Sequence, residues 1–269
     1  MDTDNDQHDK SPLLEFRNVT VVKEEKKVLD SIEVMIREGE HIAILGPNGS
    51  GKSSFIKTIT REYYPVNRED VIFRIWGRDR WHVFDLRALL GIVSNDLQFT
   101  FTREISAREA VISGFFSSVG LFTQQVTPAM EEKTDLILDF LEISHLQDRM
   151  MTELSSGEVR RFLIGRALVH DPKALILDEP TNSLDLHALH TFRQTLRKVA
   201  RSGTGIILVS HNLPDIIPEI SRVILMRDGK FWKDGPKEAI LTDANIRDLF
   251  AVPGVTVREE NGYFYATGY

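Results

Sequence analysis

The sequence predicts an α/β fold: a core of mainly parallel sheet, an antiparallel β subdomain at its N-terminal side, and an inserted helical lobe. Three observations carry this. The runs His41-Ile42-Ala43-Ile44-Leu45, Ala174-Leu175-Ile176-Leu177 and Ile206-Ile207-Leu208-Val209 are continuously apolar, as strands buried on both faces are. Segments of helical spacing alternate with them. From about residue 102 to 152 the period is helical throughout, which interrupts the α/β alternation and reads as a lobe.

The elements follow in order. Residues 1–12 are polar and acidic and read as a disordered tail. Residues 13–22 read as a strand, and Lys23-Glu24-Glu25-Lys26-Lys27 as a solvated turn. Ile32, Val34 and Ile36 alternate with polar neighbours, as on a half-exposed strand. Residues 71–76 suit another strand, residues 86–90 are short and apolar, and Gly91-Ile92-Val93-Ser94 looks like a strand end. Ser106-x-x-Glu109 reads as a capping box, and Thr127-Pro128 as a cap with a first-turn proline. Met130, Ile137, Leu138 and Leu141 then recur at helical spacing, as do Val159, Phe162, Leu163 and Leu168. Residues 187–200 read as a helix. Arg227-Asp228-Gly229 is a hairpin signal between two strands, and residues 254–269 offer two more around Asn261-Gly262. The expected division is a tail at 1–12, a catalytic domain at 13–250 with its helical lobe at about 99–155, and a C-terminal β extension at 251–269.

Composition narrows the function. A net charge of -7 argues against a nucleic-acid partner, which favours a basic stripe. The chain has no cysteine, which removes disulfide and thiolate chemistry and is compatible with a reducing cytosol. No basic and then apolar leader is read at the start, and no apolar run approaches the ~18 residues of a membrane span. Any membrane role therefore comes through a partner rather than by direct insertion.

The chemistry centres on Gly46-Pro47-Asn48-Gly49-Ser50-Gly51-Lys52-Ser53-Ser54, which fits G-x-x-x-x-G-K-[ST]. Its glycines let backbone N–H groups converge on an anion. Lys52 supplies a point charge for the β- and γ-phosphates, and the Ser53 hydroxyl suits Mg²⁺. Strand before and helix after place phosphate at a helix N-terminus. The core thus reads as a P-loop NTPase core. One such loop and no internal repeat mean one nucleotide unit. Asp178 and Glu179 end an apolar strand, where carboxylates need a cation. Asp178 suits the metal or its waters, and Glu179 suits a general base toward the attacking water.

Further motifs follow in a fixed order. Leu154-Ser155-Ser156-Gly157-Glu158 resembles the signature of ATP-binding cassette (ABC) ATPases, with Arg161 at the usual place after it. Ser183-Leu184-Asp185 resembles the family's D-loop, and His211 after Ser210 its switch histidine. The motifs span about residues 13 to 235, and the chain is identified as similar to ABC ATPase subunits. The resemblance implies that ATP is held between the phosphate loop of one chain and the signature of another, hence a head-to-tail homodimer using ATP and Mg²⁺. It implies a γ-phosphate contact for His211 and coupling across the dimer for Asp185. It also implies a separate transmembrane permease subunit, contacted by the helical lobe and Q-loop, and a place at the cytoplasmic face of the membrane. The stretch from Gly235-Pro236-Lys237 to Leu249-Phe250 is similar to importer ATPases for metal chelates, vitamin B12 or molybdate. A soluble, non-transport ABC ATPase with a regulatory or nucleic-acid role is the alternative.

Three departures stand out. Ser156 replaces the signature's usual glycine and Glu158 its glutamine. The Q-loop glutamine, which implies a catalytic and metal-ligand role, falls on Gln98, with Asn95 as the other placement. The aromatic that stacks on adenine is missing near Val22-Lys23; Phe16 is the nearest, and Val28 offers apolar contact instead.

Overall fold

Strand alternation decides the layers. The computed structural model describes residues 12–94, 101, 105–121 and 123–268. Strands β1 (Pro12–Lys23) and β2 (Lys26–Arg37) form an antiparallel hairpin. Glu24 and Glu25 turn it with φ of 46° and 66°, the doubly left-handed pair that suits a two-residue hairpin. Strand β3 (His41–Leu45) leaves this layer for the core, and β4 (Ile72–Ile75) returns to pair with β1, giving the order β2-β1-β4.

The core sheet runs β5-β6-β7-β3-β8-β9, where β5 is Leu90–Ser94, β6 Ala174–Asp178, β7 Gly205–Ser210, β8 Arg222–Arg227 and β9 Lys230–Pro236. Its pairs are parallel except β8–β9 at the edge. Both faces are covered, which is why its strands read as unbroken apolar runs. Ile42, Ile44, Ile176, Ile207, Val209 and Ile224 face one core, shared with the β1–β2–β4 layer and helix α1 (Lys52–Ile59). Ala43, Leu45, Leu175, Leu177, Leu208 and Leu225 face the other, shared with the helices. Each fully buried Leu or Ile contributes roughly 1.5–3 kcal/mol to one core or the other.

Helix α2 (Val83–Leu89) precedes β5, so residues 86–90 divide between a helix end and the start of a strand. The lobe holds α3 (Ala107–Ile112) and α4 (Pro128–Phe140), which pack on α5 (Ser156–Leu168). Ser106 caps α3 as expected, its hydroxyl accepting from Glu109 N at 3.1 Å. The reciprocal half of the box is missing: the Glu109 carboxylate accepts from Leu121 N at 3.0 Å instead, and so ties down the chain after α3. Thr127 caps α4 with Pro128 in its first turn. After α6 (Leu186–Arg201) and strands β7, β8 and β9 come α7 (Lys237–Ile240) and α8 (Asp243–Phe250). A last hairpin joins β10 (Thr256–Glu260) to β11 (Tyr263–Thr267), and Asn261 and Gly262 turn it with φ of 54° and 80°.

Parallel strands end together. Ser94, Asp178, Ser210 and Leu45 close β5, β6, β7 and β3 at the carboxyl edge, where open α/β sheets bind ligands.

Candidate nucleotide site

The phosphate loop runs from β3 into α1. Gly51 caps α1 with φ 107° and no side-chain cap, so the first-turn N–H groups are left for an anion. A Cβ at Gly51 would stand 2.7 Å from the Val28 carbonyl, so only glycine fits the approach of β2. Neighbouring strands brace the loop: Gly46 N donates to Ser210 O at 3.2 Å, and Gly229 N to Ser50 O at 2.8 Å.

Lys52 is buried at the centre, 4 % exposed. Its ammonium donates to Gly46 O and Pro47 O, both at 2.9 Å. It also lies 3.4 Å from Glu179 Oε1. That same oxygen is 3.2 Å from His211 Nδ1, while Oε2 accepts from Asn182 Nδ2 at 2.9 Å. The structure thus brings together Lys52, Glu179 and His211 from the ends of β3, β6 and β7. Glu179 holds φ 47°, a left-handed backbone that breaks the strand direction immediately after Asp178. Burial pushes its carboxyl up, but the Asn182 and His211 hydrogen bonds and the Lys52 charge outweigh this, leaving it below the usual carboxylate range. It is therefore ionised near neutrality and able to accept a proton.

Ser53 and Asp178 line one cavity of about 390 Å³, together with Ser94. A hydroxyl and a carboxylate facing one space are hard oxygen donors, the set that suits Mg²⁺. Ser94 pairs with Asp178 across β5 and β6, so the segment after β5 starts beside that carboxylate. Both Q-loop placements, Asn95 and Gln98, lie outside the described residues.

The signature starts α5. The Ser155 hydroxyl accepts from Glu158 N at 3.3 Å and donates to Glu158 Oε2 at 2.7 Å. Ser155 N donates to the same carboxylate at 2.8 Å, which completes the capping box. Burial raises the Glu158 carboxyl, but the two Ser155 bonds and the charges of Arg149 and Arg161 more than reverse it. Arg161 itself reaches back to the backbone carbonyls of Leu141 and Glu142 in the lobe. Gly157 lies flat on α6, and a Cβ there would be 2.7 Å from the Ala188 Cβ. Ser156 Oγ lies 3.4 Å from Ser183 O. Signature and D-loop are therefore neighbours within the chain. Ser183 holds φ 66°, Leu184 N donates to Thr181 O at 3.2 Å, and Asp185 caps α6 by accepting from Ala188 N at 2.8 Å.

The adenine expectation needs correction at Phe16. It is 1 % exposed and packs edge-on against Phe55 and Phe73, so it cannot meet a base. Val28 is partly buried beside the loop. An aromatic ring does reach Lys23 from beyond α1: Lys23 Nζ lies 5.7 Å from the Tyr63 ring centre. Sequence reasoning missed Asn182 and Gly229, which touch Glu179 and the phosphate loop; three residues past the strand acid was the available signal for Asn182.

Known proteins fit this geometry. A family model described as ABC transporter matches residues 29–182, more than half of the chain. The uncharacterized ABC transporter ATP-binding protein YlmA of Bacillus subtilis is 32% identical over 246 residues, covering 90% of this chain and 92% of its own. The hemin import ATP-binding protein HmuV of Bradyrhizobium diazoefficiens is 29% identical over 273 residues, 95% of this chain and 94% of its own. The ADP conformation of MJ1267, an ATP-binding cassette of an ABC transporter, has the same fold at a TM-score of 0.77 and 24% identity, over 90% of this chain and 99% of that one. A phosphate-type loop, acids at the end of β6 and a capped helix start thus occur in a chain that belongs to the ATP-binding subunits of the ABC transporter family.

Proposed function

We propose that this subunit hydrolyses MgATP in a head-to-tail homodimer and drives a separate transmembrane permease at the cytoplasmic face of the membrane. The observation that carries the reading is the contact set of Lys52, Glu179 and His211 at the carboxyl edge of the sheet. Lys52 exchanges its carbonyl and carboxylate partners for the β- and γ-phosphates. Glu179, freed from Lys52, accepts the proton of the attacking water as the bond from the γ-phosphorus to ADP breaks. His211 moves from the Glu179 carboxylate to the γ-phosphate. Ser53, Asp178 and Gln98 would hold Mg²⁺, which neutralises charge on the phosphate oxygens when bound.

The dimer is supported by the signature. Its Ser156 lies beside Ser183 of the D-loop and its Gly157 against Ala188 of α6 in their own chain, and the α5 N-terminus carries the donors and dipole that favour a phosphate. Residues 154–158 and 183–185 would serve the partner's ATP. A permease is supported by the family and by the absence, among the described residues, of a helix long and apolar enough to cross a membrane. Likeness to a hemin import protein supports an importer of the metal-chelate kind. The proposed division is a catalytic domain at 13–250, with its lobe at about 99–155, and a C-terminal extension at 251–269.

Co-expression with a candidate permease, a polytopic membrane protein should one be encoded beside it, tests this. The chain should co-purify with that protein in detergent, and its ATP hydrolysis should rise in proteoliposomes. A chain that hydrolyses ATP equally fast with and without it, and never co-purifies, contradicts the transport reading.

A further inference from the structure

Asp215 belongs to none of the motifs above, yet it is 3 % exposed in the turn Leu213–Asp215 after β7. A buried carboxylate needs partners. Ser210 Oγ donates to its Oδ2, Thr181 lines the same cavity with its hydroxyl favouring the charged carboxylate, and Arg193 of α6 lends positive charge. Each partner serves a different part of the site. Ser210 ends β7: its carbonyl accepts from Gly46 of the phosphate loop at 3.2 Å, and its hydroxyl accepts from Asn212 N at 3.0 Å. His211 stands between Ser210 and Asn212. Thr181 lies two residues past Glu179, and its carbonyl accepts from Leu184 of the D-loop at 3.2 Å. One carboxylate thus joins the turn that carries His211 to the loop that carries Glu179, whose side chains stand 3.2 Å apart.

We infer that Asp215 is a positioning residue for hydrolysis, which clamps the turn 210–212 to the loop 179–181 and so fixes His211 and Glu179 relative to the phosphate loop. The inference rests on the ATPase reading above. Ground-state binding of the phosphates depends on Lys52 and the start of α1, which Asp215 reaches only through the Ser210 backbone. Loss of the clamp therefore acts on turnover more than on binding. A carboxylate that merely held the fold would lower the amount of folded protein and leave turnover per folded molecule intact.

The test measures ATP hydrolysis and trinitrophenyl-ATP binding by the full chain, with rates taken per nucleotide-binding molecule. Asp215→Ala should lower kcat by about 10-fold or more, the scale of a misplaced catalytic group, with KM within about threefold. Asp215→Asn keeps the size and can still bond both hydroxyls, so it should restore kcat to within about threefold of wild type. Thr181→Val removes one arm and should fall between them. Combined with Asp215→Ala it should add nothing, as expected for two groups in one contact. Unchanged kcat in Asp215→Ala, or a rise in KM alone, overturns the inference, as does an additive double variant. Should Asp215→Ala fail to fold, Thr181→Val decides: unchanged kcat there overturns it. A wild-type chain that neither binds the probe nor hydrolyses ATP overturns the ATPase reading itself, which separates the two failures.

Discussion

At the scale of single residues, the site is a set of charges that neutralise one another until nucleotide arrives. Lys52 donates to two carbonyls and pairs with the Glu179 carboxylate, so its buried charge is engaged on every side the site offers. Lys52→Ala removes that charge and should weaken MgATP binding on the order of 10²-fold, about 2.7 kcal/mol, read by titration calorimetry; unchanged affinity would mean that the phosphates sit elsewhere. Base recognition should be weak by contrast, because Phe16 is interior and Lys23 stands where an aromatic is expected. Competition between ATP and GTP should show less than ~100-fold preference, and a larger ratio would reveal a base-reading contact. Asp215 adds a pH dependence. Burial raises its carboxyl above the usual range, against the bonds from Ser210 and Thr181 and the charges of Arg193 and His211. A raised folded value means that the neutral form suits the fold, so its contribution is full at low pH and is lost as pH rises through that value. Thermal melts of wild type and Asp215→Asn should therefore converge or cross as pH falls from neutral toward 4.5, the wild type gaining relative to the variant. A constant difference across that range would contradict the raised value.

At the scale of elements, caps and close approaches decide how the motifs are held. The reciprocal bonds of Ser155 and Glu158 start α5, and Gly157 lets α5 lie against α6 at Ala188. Gly157→Ala forces a Cβ into that contact and should cost about 1–3 kcal/mol, visible as a lower denaturation midpoint at unchanged slope. An unaffected midpoint would show that α5 and α6 separate freely. Elements of this kind were legible to different degrees. Strands β3, β6 and β7 announce themselves because both of their faces are buried, and the hairpins because Asp228-Gly229 and Asn261-Gly262 suit positive φ. Helix α2 was not legible, since Leu86 is its one buried residue and leaves no period to read. Glu109 matches a capping box in spacing but finds a better partner in Leu121, a contact that only the folded lobe creates. The tie from Ser210 to Asp215 spans only five residues, but it belongs to no cap or turn signature that the sequence displays.

At the scale of the whole molecule, the sheet gathers groups distant in the chain at one edge, yet places the signature with the D-loop rather than over its own phosphate loop. On the proposed reading one chain supplies half of each catalytic site, with Glu179 as the base between the halves. Glu179→Gln tests both parts at once. The amide keeps the size and most of the bonding to Asn182 but cannot take a proton, so turnover should fall by ~10²-fold or more. Lys52, Ser53 and Asp178 still hold nucleotide, and ATP shared by two chains favours their pairing by mass action. The measurement is size-exclusion chromatography with light scattering on this variant, with and without MgATP. A monomer that becomes a dimer only with MgATP, and more completely than wild type, is the predicted result. A variant that binds ATP without hydrolysing it and stays monomeric at high concentration would contradict the shared site, and one that hydrolyses ATP at the wild-type rate would contradict Glu179 as the base.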